Sequence, residues 1–195
     1  MDGPIGVLAL QGDFAEHRRA LERAGAAARE VRVPGEMEGI GGLIIPGGES
    51  TTIGKLAVEY GLLEPIRRLG SEGMPIWGVC AGMVLLARDT GGPEQPLLGL
   101  MDVRVKRNAF GRQVESFEVD LAVPALDADA SNGRFRAIFI RAPAVEEAAE
   151  GVQVLARLEG GAIVAVRQGN LLATAFHPEL TEDLRFHRYF LGMSE

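Results

Sequence analysis

The sequence has little cysteine, no long basic run and no long apolar run. Its single cysteine, Cys80, cannot form an internal disulfide, which indicates a reducing compartment such as the cytoplasm. The formal net charge of −7 and the pI of about 5.1 argue against nucleic acid and anionic membrane surfaces as partners. No apolar stretch approaches the roughly 20 residues of a membrane span. No basic segment precedes the first apolar run, so no signal peptide is expected either.

Two kinds of ligand site are also missing from the sequence. The three histidines, His17, His177 and His187, are scattered and show no metal-ligand spacing, so no metal site is expected. No G-x-x-x-x-G-K-[ST] motif is present, which excludes a Walker-type phosphate loop. His17 on the first predicted helix and His187 on the last are expected to be structural or exposed, and to lie outside the chemistry.

The chain is long and apolar enough for one compact domain, which we expect to span residues 1–195. It has 195 residues, of which 47% are hydrophobic and 24% charged. The apolar runs at residues 5–10, 42–45 and 75–79 alternate with helix-forming segments, including one from residue 81 to 88. Continuous apolar runs of this kind are typical of parallel strands that are covered on both faces. The first half therefore predicts an α/β fold, with helices on both sides of a mainly parallel sheet.

The second half of the chain has a different pattern. Residues 103–105 and 117–121 alternate apolar with polar side chains, as half-exposed antiparallel strands do. Residues 162–167 and 171–176 are two further predicted strands, joined by a hairpin signal at residues 168–170. A final helix is predicted at about residues 182–191. Antiparallel strands are thus expected in addition to the parallel core.

Cys80 lies at a predicted turn from strand to helix. An apolar run ends at Val79, helix formers begin at Ala81, and Gly78 and Gly82 flank the cysteine. This is the G-x-nucleophile-x-G pattern of a nucleophile elbow. A helix N-terminus favours the reactive thiolate, and the Ala81 amide would face an oxyanion beside the sulfur. On this motif alone, a reactive thiol and a small buried hydrophobic residue are equally good interpretations.

A base for this thiol is predicted at His177, directly after the strand at residues 171–176. Active sites gather at strand ends in α/β sheets. Pro178 favours extended backbone at His177, and residues two apart in extended chain point to the same side. Glu179 can therefore reach the imidazole and orient it, which predicts a Cys80–His177–Glu179 triad. The alternative is a surface histidine beside an unrelated glutamate.

A glycine-rich loop at residues 46–50 (PGGES) follows the strand at 42–45. Residues 50–52 are good N-caps for the helix that comes next. The glycines allow backbone amides to face a ligand, as an oxyanion hole or an anion site requires. By itself, a Gly-Gly pair before a helix is usually only a turn.

Taken together, residues 46–51 (PGGEST), 78–82 (GVCAG) and 177–179 (HPE) resemble the class I, triad-type glutamine amidotransferases. The chain is more narrowly similar to the PdxT family, the glutaminase subunits of pyridoxal 5′-phosphate synthase. The segments that carry this narrower resemblance are 10–12 with Glu16 and His17, 107–113 (RNAFGRQ), 139–143 (FIRAP) and 176–183 (FHPELTED). The resemblance covers residues 6 to about 183 and implies a flavodoxin-like, three-layer αβα fold.

The resemblance also implies an activity, hydrolysis of L-glutamine through a γ-glutamyl thioester, without a cofactor. Cys80 would be the nucleophile, His177 the proton shuttle and Glu179 its orienting partner. The residues implied to bind glutamine are Gly48, Glu49, Ser50, Arg107, Ile140 and Arg141. The elbow pattern and the glycine-rich loop together predict an oxyanion hole from the amides of Gly48 and Ala81.

The implied partner is the synthase subunit of pyridoxal 5′-phosphate synthase, a (β/α)₈ barrel that would take up the ammonia with ribose 5-phosphate and glyceraldehyde 3-phosphate. The resemblance further implies a glutaminase that is nearly silent until it docks. Gln11 and Gly12, at the end of the first strand, are a candidate partner-sensing loop. Three alternatives stay open: a subunit of the imidazole glycerol phosphate synthase type, a non-catalytic binding module on the same scaffold, and a stand-alone γ-glutamyl peptide hydrolase.

Overall fold

A computed structural model describes residues 3–92, 94–111, 116–126 and 133–194. The strands in these ranges are β1 (Ile5–Leu8), β2 (Ala28–Val31), β3 (Gly42–Ile45), β4 (Ile76–Val79), β5 (Ala87–Asp89), β6 (Met101–Lys106), β7 (Ser116–Leu121), β8 (Phe135–Ile140), β9 (Ala144–Ala148), β10 (Gln153–Arg157), β11 (Ile163–Gln168) and β12 (Leu171–Thr174). The helices are α1 (Phe14–Arg23), α2 (Ser50–Glu59), α3 (Leu63–Ser71), α4 (Ala81–Leu86) and α5 (Arg185–Leu191). None of the helices in the described ranges has the length and apolar character needed to cross a membrane.

One half of the main sheet is parallel. Its strand order is β2-β1-β3-β4-β12, and each neighbouring pair runs in the same direction. Every residue of β1, β3, β4 and β12 is buried, which explains their continuous apolar sequences. Helices pack on both sides of the sheet, so the predicted αβα fold is confirmed.

The other half is largely antiparallel. Strand β11 pairs antiparallel with β12, β10 and β9, and β9 pairs antiparallel with β6. β5 runs parallel to β6, while β7 and β8 form a separate antiparallel pair. The turn between β11 and β12 contains Gly169 in the left-handed region, with φ of 56°, as the hairpin signal predicted.

Several predicted element boundaries are wrong. The helix after Cys80 ends at Leu86, because Ala87 takes extended backbone and starts β5. The last helix begins at Arg185 rather than at residue 182. Before it, the hydroxyl of Thr181 and the carboxylate of Asp183 accept hydrogen bonds from backbone amides and hold a turn. Arg112 and Gln113, part of one family-like segment, lie outside the described residues.

The pairing of β4 with β12 places the two predicted reacting groups at one edge of the sheet. Val79 is in register with Thr174, and the Cys80 amide donates to the Thr174 carbonyl at 2.7 Å. Trp77, fully buried on β4, donates from Nε1 to the Thr174 hydroxyl at 3.1 Å. Because parallel strands end at the same edge, Cys80 and the residues that follow β12 emerge side by side. Strand β3 ends at the same edge, so the loop at residues 46–50 begins beside Cys80.

Candidate active site

Cys80 has the backbone geometry of a sharp strand-to-helix turn. Its φ of 49° and ψ of −97° are strained for a residue with a side chain. The turn requires the flanking glycines: a Cβ on Gly78 would lie 2.4 Å from the carbonyl oxygen of Gly82, and one on Gly82 would lie 2.2 Å from that of Ile45. Cys80 as a whole residue is 7% exposed, and its Sγ is 3.9 Å from the carbonyl oxygen of Ile140. The chain thus holds one nearly buried sulfur on a tight turn.

His177 and Glu179 form a short, buried pair beside this sulfur. His177 Nδ1 and Glu179 Oε1 are 2.6 Å apart, and the His177 amide donates to the carbonyl of Ile138. The 3₁₀ turn at Pro178–Leu180 brings the carboxylate back under the imidazole. Burial acts to lower the pKa of His177, but hydrogen bonds to Cys80 and Glu179 outweigh it and raise the pKa to about 10. These contacts favour the protonated form of the imidazole.

Two acidic groups lie next to this imidazole. Burial raises the pKa of Glu179, while the hydrogen bond and charge of His177 act in the opposite direction. Asp13 Oδ2 lies 3.5 Å from His177 Nδ1, and burial raises the pKa of Asp13. Asp13, His177 and Glu179 bring donor atoms within 4.8 Å of one another. The expected absence of a metal site therefore stays a prediction.

The glycine-rich loop packs directly on the His177–Glu179 pair and on the loop after β1. A Cβ on Gly47 would lie 2.3 Å from His177 Cε1, so only glycine fits there. Gly12 approaches the same loop, since a Cβ on it would lie 1.7 Å from the carbonyl oxygen of Gly47. The side-chain oxygen of Gln11 accepts a hydrogen bond from the Glu49 amide at 2.7 Å. The two loops therefore cannot move independently.

An open cavity of about 450 Å³ joins these groups. Its lining includes Gln11, Asp13, Gly48, Glu49, Ser50, Cys80, Ala81, Val84, Arg107, Asn108, Ile140, Arg141, Pro143 and His177. All the predicted glutamine-binding and oxyanion-hole residues are in this set. Glu179 lies behind His177 and does not line the cavity, and neither does Gly12.

Arg107 is held in the cavity by an acidic helix cap. Its Nη2 donates to Glu49 Oε1 at 2.9 Å, and its Nη1 lies 3.2 Å from both Thr51 Oγ1 and Gln95 Oε1. Glu49, rather than residues 50–52, is the N-cap of α2, and its carboxylate accepts from the amides of Thr51 and Thr52. Burial acts to raise the pKa of Glu49, but the hydrogen bonds from Thr52 and Thr51 and the charge of Arg107 lower it overall.

Arg141 reaches the cavity from the end of β8. It is exposed and has a positive φ of 43°, as does Asn108 at 48° in the facing loop. The Ala109 amide donates to the carbonyl of Ala142 at 3.0 Å, which ties the two loops together. Two guanidinium groups from distant segments therefore line one cavity beside Cys80.

Two groups near the His177–Glu179 pair were missed by sequence reasoning. Asp13 follows a family-like segment but has no predicted role. His17 is predicted to lie outside the chemistry, yet its Nε2 is 3.4 Å from Glu179 Oε2, and both side chains are fully buried. His187, on α5, lies 3.2 Å from the other nitrogen of His17. The sequence signal for this contact is that Glu16 and His17 resemble the family, but that resemblance does not indicate which residue His17 contacts.

Comparison with known proteins identifies the family of the chain. Residues 7–195 match the SNO glutamine amidotransferase family. A curated relative from Moorella thermoacetica, named pyridoxal 5′-phosphate synthase subunit PdxT, is 61% identical over 189 residues, which cover 97% of this chain and 98% of the relative. A relative of the same name from Thermus thermophilus is 59% identical over 196 residues, covering 100% of this chain and 99% of its own.

A solved structure supports the same assignment. A crystal structure described as a glutamine amidotransferase superimposes with a TM-score of 0.91 at 56% identity, covering 98% of this chain and 99% of that one. The family match extends over almost the entire length, and the relatives have nearly the same length as this chain. The chain therefore belongs to the SNO glutamine amidotransferase family.

Proposed function

We propose that this chain is a glutaminase subunit that hydrolyses L-glutamine to L-glutamate and ammonia, and that the ammonia passes to the synthase subunit of pyridoxal 5′-phosphate synthase. One observation carries the proposal: the strained Cys80 lies beside the His177–Glu179 pair, at the wall of a cavity that two arginines also line. The names of the close relatives support the pathway. The whole chain, residues 1–195, acts as one domain in this proposal.

Glutamine binding follows from the charges around the cavity. Arg107 and Arg141 supply donors for the α-carboxylate of glutamine, since guanidinium groups bind carboxylates strongly. The carboxylate of Glu49 and the carbonyl of Ile140 offer acceptors for the α-ammonium group. Gly48 and Ser50 complete the wall between these groups and the sulfur. The side-chain amide of glutamine then points towards Cys80.

Acylation begins from a Cys80 thiolate paired with a His177 imidazolium. The sulfur attacks the amide carbon of the glutamine side chain, and the carbonyl oxygen becomes an oxyanion. The backbone amides of Gly48 and Ala81 stabilise that oxyanion. His177 then donates its proton to the amide nitrogen, which leaves as ammonia. The product on the enzyme is a γ-glutamyl thioester at Cys80.

Deacylation uses the same groups in the opposite sense. Neutral His177 takes a proton from a water molecule, which attacks the thioester carbonyl carbon. The second oxyanion collapses, the thiolate leaves, and glutamate is released. Glu179 fixes the imidazole orientation and stabilises its positive charge in both half-reactions. A reducing, cytoplasmic setting belongs to this proposal, because the sulfur must remain a thiol.

The synthase partner in this proposal is a (β/α)₈ barrel that combines the ammonia with ribose 5-phosphate and glyceraldehyde 3-phosphate. Gln11 and Gly12 are the proposed sensing loop. Gln11 holds the amide of Glu49, and Gly12 touches Gly47, so movement of their loop on docking reaches the proposed oxyanion hole. The glutaminase is accordingly expected to be weak alone and active in the complex.

The test is to measure glutamate release and pyridoxal phosphate formation with and without the synthase subunit. We expect both products from the wild-type complex and neither in a complex that carries Cys80→Ala. Equal glutamate release by wild type and Cys80→Ala would refute the mechanism. Full activity without a partner would favour a stand-alone hydrolase, and activation only by a different synthase would place the chain in another pathway. No turnover at all would favour a binding module.

A further inference from the structure

The catalytic pair continues into the core through two more imidazoles. Glu179 Oε1 contacts His177, while Glu179 Oε2 lies 3.4 Å from His17 Nε2. His17 Nδ1 lies 3.2 Å from His187 Nε2. His17 and His187 are both fully buried, and Trp77 packs edge-on against each ring. Helices α1 and α5 thus meet behind the triad through His17 and His187, which lie far apart in the sequence.

The protonation states of His17 and His187 follow from their surroundings. Burial and the nearby His187 and His177 charges lower the pKa of His17 well below its usual value, and burial and the Arg23 charge lower that of His187 to about 4. Both rings are therefore neutral at pH 7, each with one N–H donor and one acceptor nitrogen.

The carboxylate decides where the His17 proton lies. With the proton on Nε2, His17 donates towards Glu179 Oε2, and its Nδ1 accepts from His187 Nε2–H. With the proton on Nδ1, a lone pair would face the carboxylate oxygen, and that oxygen would lose its donor at a cost. In the described part of the chain, neither Glu179 Oε2 nor His17 Nε2 has a hydrogen-bond partner. The two buried atoms face each other at 3.4 Å, an ion-pair distance that a small shift would close to a hydrogen bond. His187 Nδ1 also lacks a partner among the described residues, as fits a nitrogen without a proton.

We propose that His17 is a positioning residue for the triad: its Nε2–H braces the second oxygen of Glu179, and His187 fixes the tautomer that makes this possible. The carboxylate is then held on both oxygens, by the catalytic imidazole on one side and by His17 on the other. Free rotation of the carboxylate would loosen the 2.6 Å contact that orients His177. His17 does not line the glutamine cavity, so its effect falls on catalysis rather than on substrate binding.

The tautomers can be read directly, because the chain has three histidines. Protein labelled with ¹⁵N-histidine gives three imidazole spin systems, and two-bond ¹H–¹⁵N correlation spectra distinguish protonated from bare ring nitrogens. The His17→Gln variant assigns the His17 signals by their loss. We expect neutral rings with Nε2–H for both His17 and His187 at pH 7. A proton on His17 Nδ1, or a charged His17, would overturn the proposal.

A matched pair of variants tests the catalytic consequence in the complex with the synthase subunit. The amide nitrogen of His17→Gln can reach the position of Nε2, and its amide oxygen can accept from His187. His17→Asn carries the same amide one methylene shorter, and so places no donor at Glu179. We expect His17→Gln to keep most of the wild-type kcat. His17→Asn should lose roughly tenfold to a hundredfold in kcat with little change in KM, because a buried acceptor loses its donor.

A packing control separates this role from loss of core stability. Phe186→Leu removes part of a fully buried ring that stacks near Trp77, and its side chain has no polar atom that could join these hydrogen bonds. It should lower the melting temperature without changing kcat. Equal kcat values for His17→Gln and His17→Asn would overturn the proposal. Only the kinetic test of this inference rests on the proposed glutaminase activity. An inactive wild type would refute that activity, whereas the NMR measurement tests the hydrogen bonds independently of it.

Discussion

An alanine at Gly47 should disable the site without removing any reacting group. Its Cβ would lie 2.3 Å from His177 Cε1, 3.0 Å from His177 Nδ1 and 3.2 Å from Asp13 Oδ2. An ordinary carbon contact begins at 3.4 Å, so the loop and the imidazole must separate by about 1 Å. His177 is buried and tied to Glu179 at 2.6 Å, so it cannot simply swing away.

Either response harms the reaction. If the imidazole moves, the proposed base leaves the sulfur. If the loop moves, the Gly48 amide leaves the proposed oxyanion position. A displacement of about 1 Å in a catalytic group can cost on the order of a hundredfold in rate. We therefore expect Gly47→Ala to reduce kcat/KM for glutamine about a hundredfold in the complex, measured by glutamate release.

The control for Gly47→Ala is Gly35→Ala. Gly35 has no positive φ, and a Cβ there meets no atom within 4 Å. Gly35→Ala should keep wild-type activity, and thermal unfolding should show that both variants fold. A folded Gly47→Ala protein with wild-type kcat/KM would refute the argument that the loop is packed against the base.

Three further predictions concern the elbow, the imidazole and the substrate carboxylate. Gly82→Ala should cost about 1–3 kcal/mol in the free energy of unfolding, because its Cβ would lie 2.2 Å from the backbone oxygen of Ile45; an unchanged denaturation midpoint would contradict this. Cys80→Ala should lower the pKa of His177 from about 10, since it removes a hydrogen bond that raises it. A ¹⁵N-histidine titration measures this value, and an unchanged pKa would mean that the thiol does not bind the ring. Arg107→Ala should raise the KM for glutamine about tenfold or more by removing a charge-assisted hydrogen bond, with a smaller effect on kcat. A change in kcat alone would instead assign Arg107 to catalysis.

The parallel half of the fold was predictable because its signals are local. Strand β3 has the predicted bounds of residues 42–45, since glycines precede its apolar run and Pro46 ends it. Residues 46–50, Cys80 and His177 each follow the end of a predicted strand. Because parallel strands end at the same edge of a sheet, these residues were expected to lie together. That rule alone is enough to bring the candidate triad and the glycine-rich loop together.

The rest depends on contacts between distant parts of the chain. Ala87 and Arg88 were predicted as helix because they end a run of helix-forming residues, but pairing with β6 places them in a strand. Glu49 is the cap of α2 because extended backbone lets its long side chain fold back onto the first amides. His17 and His187 are 170 positions apart, and no local pattern could predict that both would lie behind Glu179.

Detection of the covalent intermediate would test the proposed chemistry at its reacting atom. The complex with the synthase subunit is mixed with L-glutamine, quenched in acid within the first turnover, and digested for peptide mass mapping. Since Cys80 is the single cysteine of the chain, a thioester can form at one position alone. We expect a γ-glutamyl adduct on the Cys80 peptide during turnover and none in Cys80→Ala. Glutamate release by the Cys80→Ala complex at the wild-type rate, with no adduct on the wild-type peptide, would contradict the mechanism.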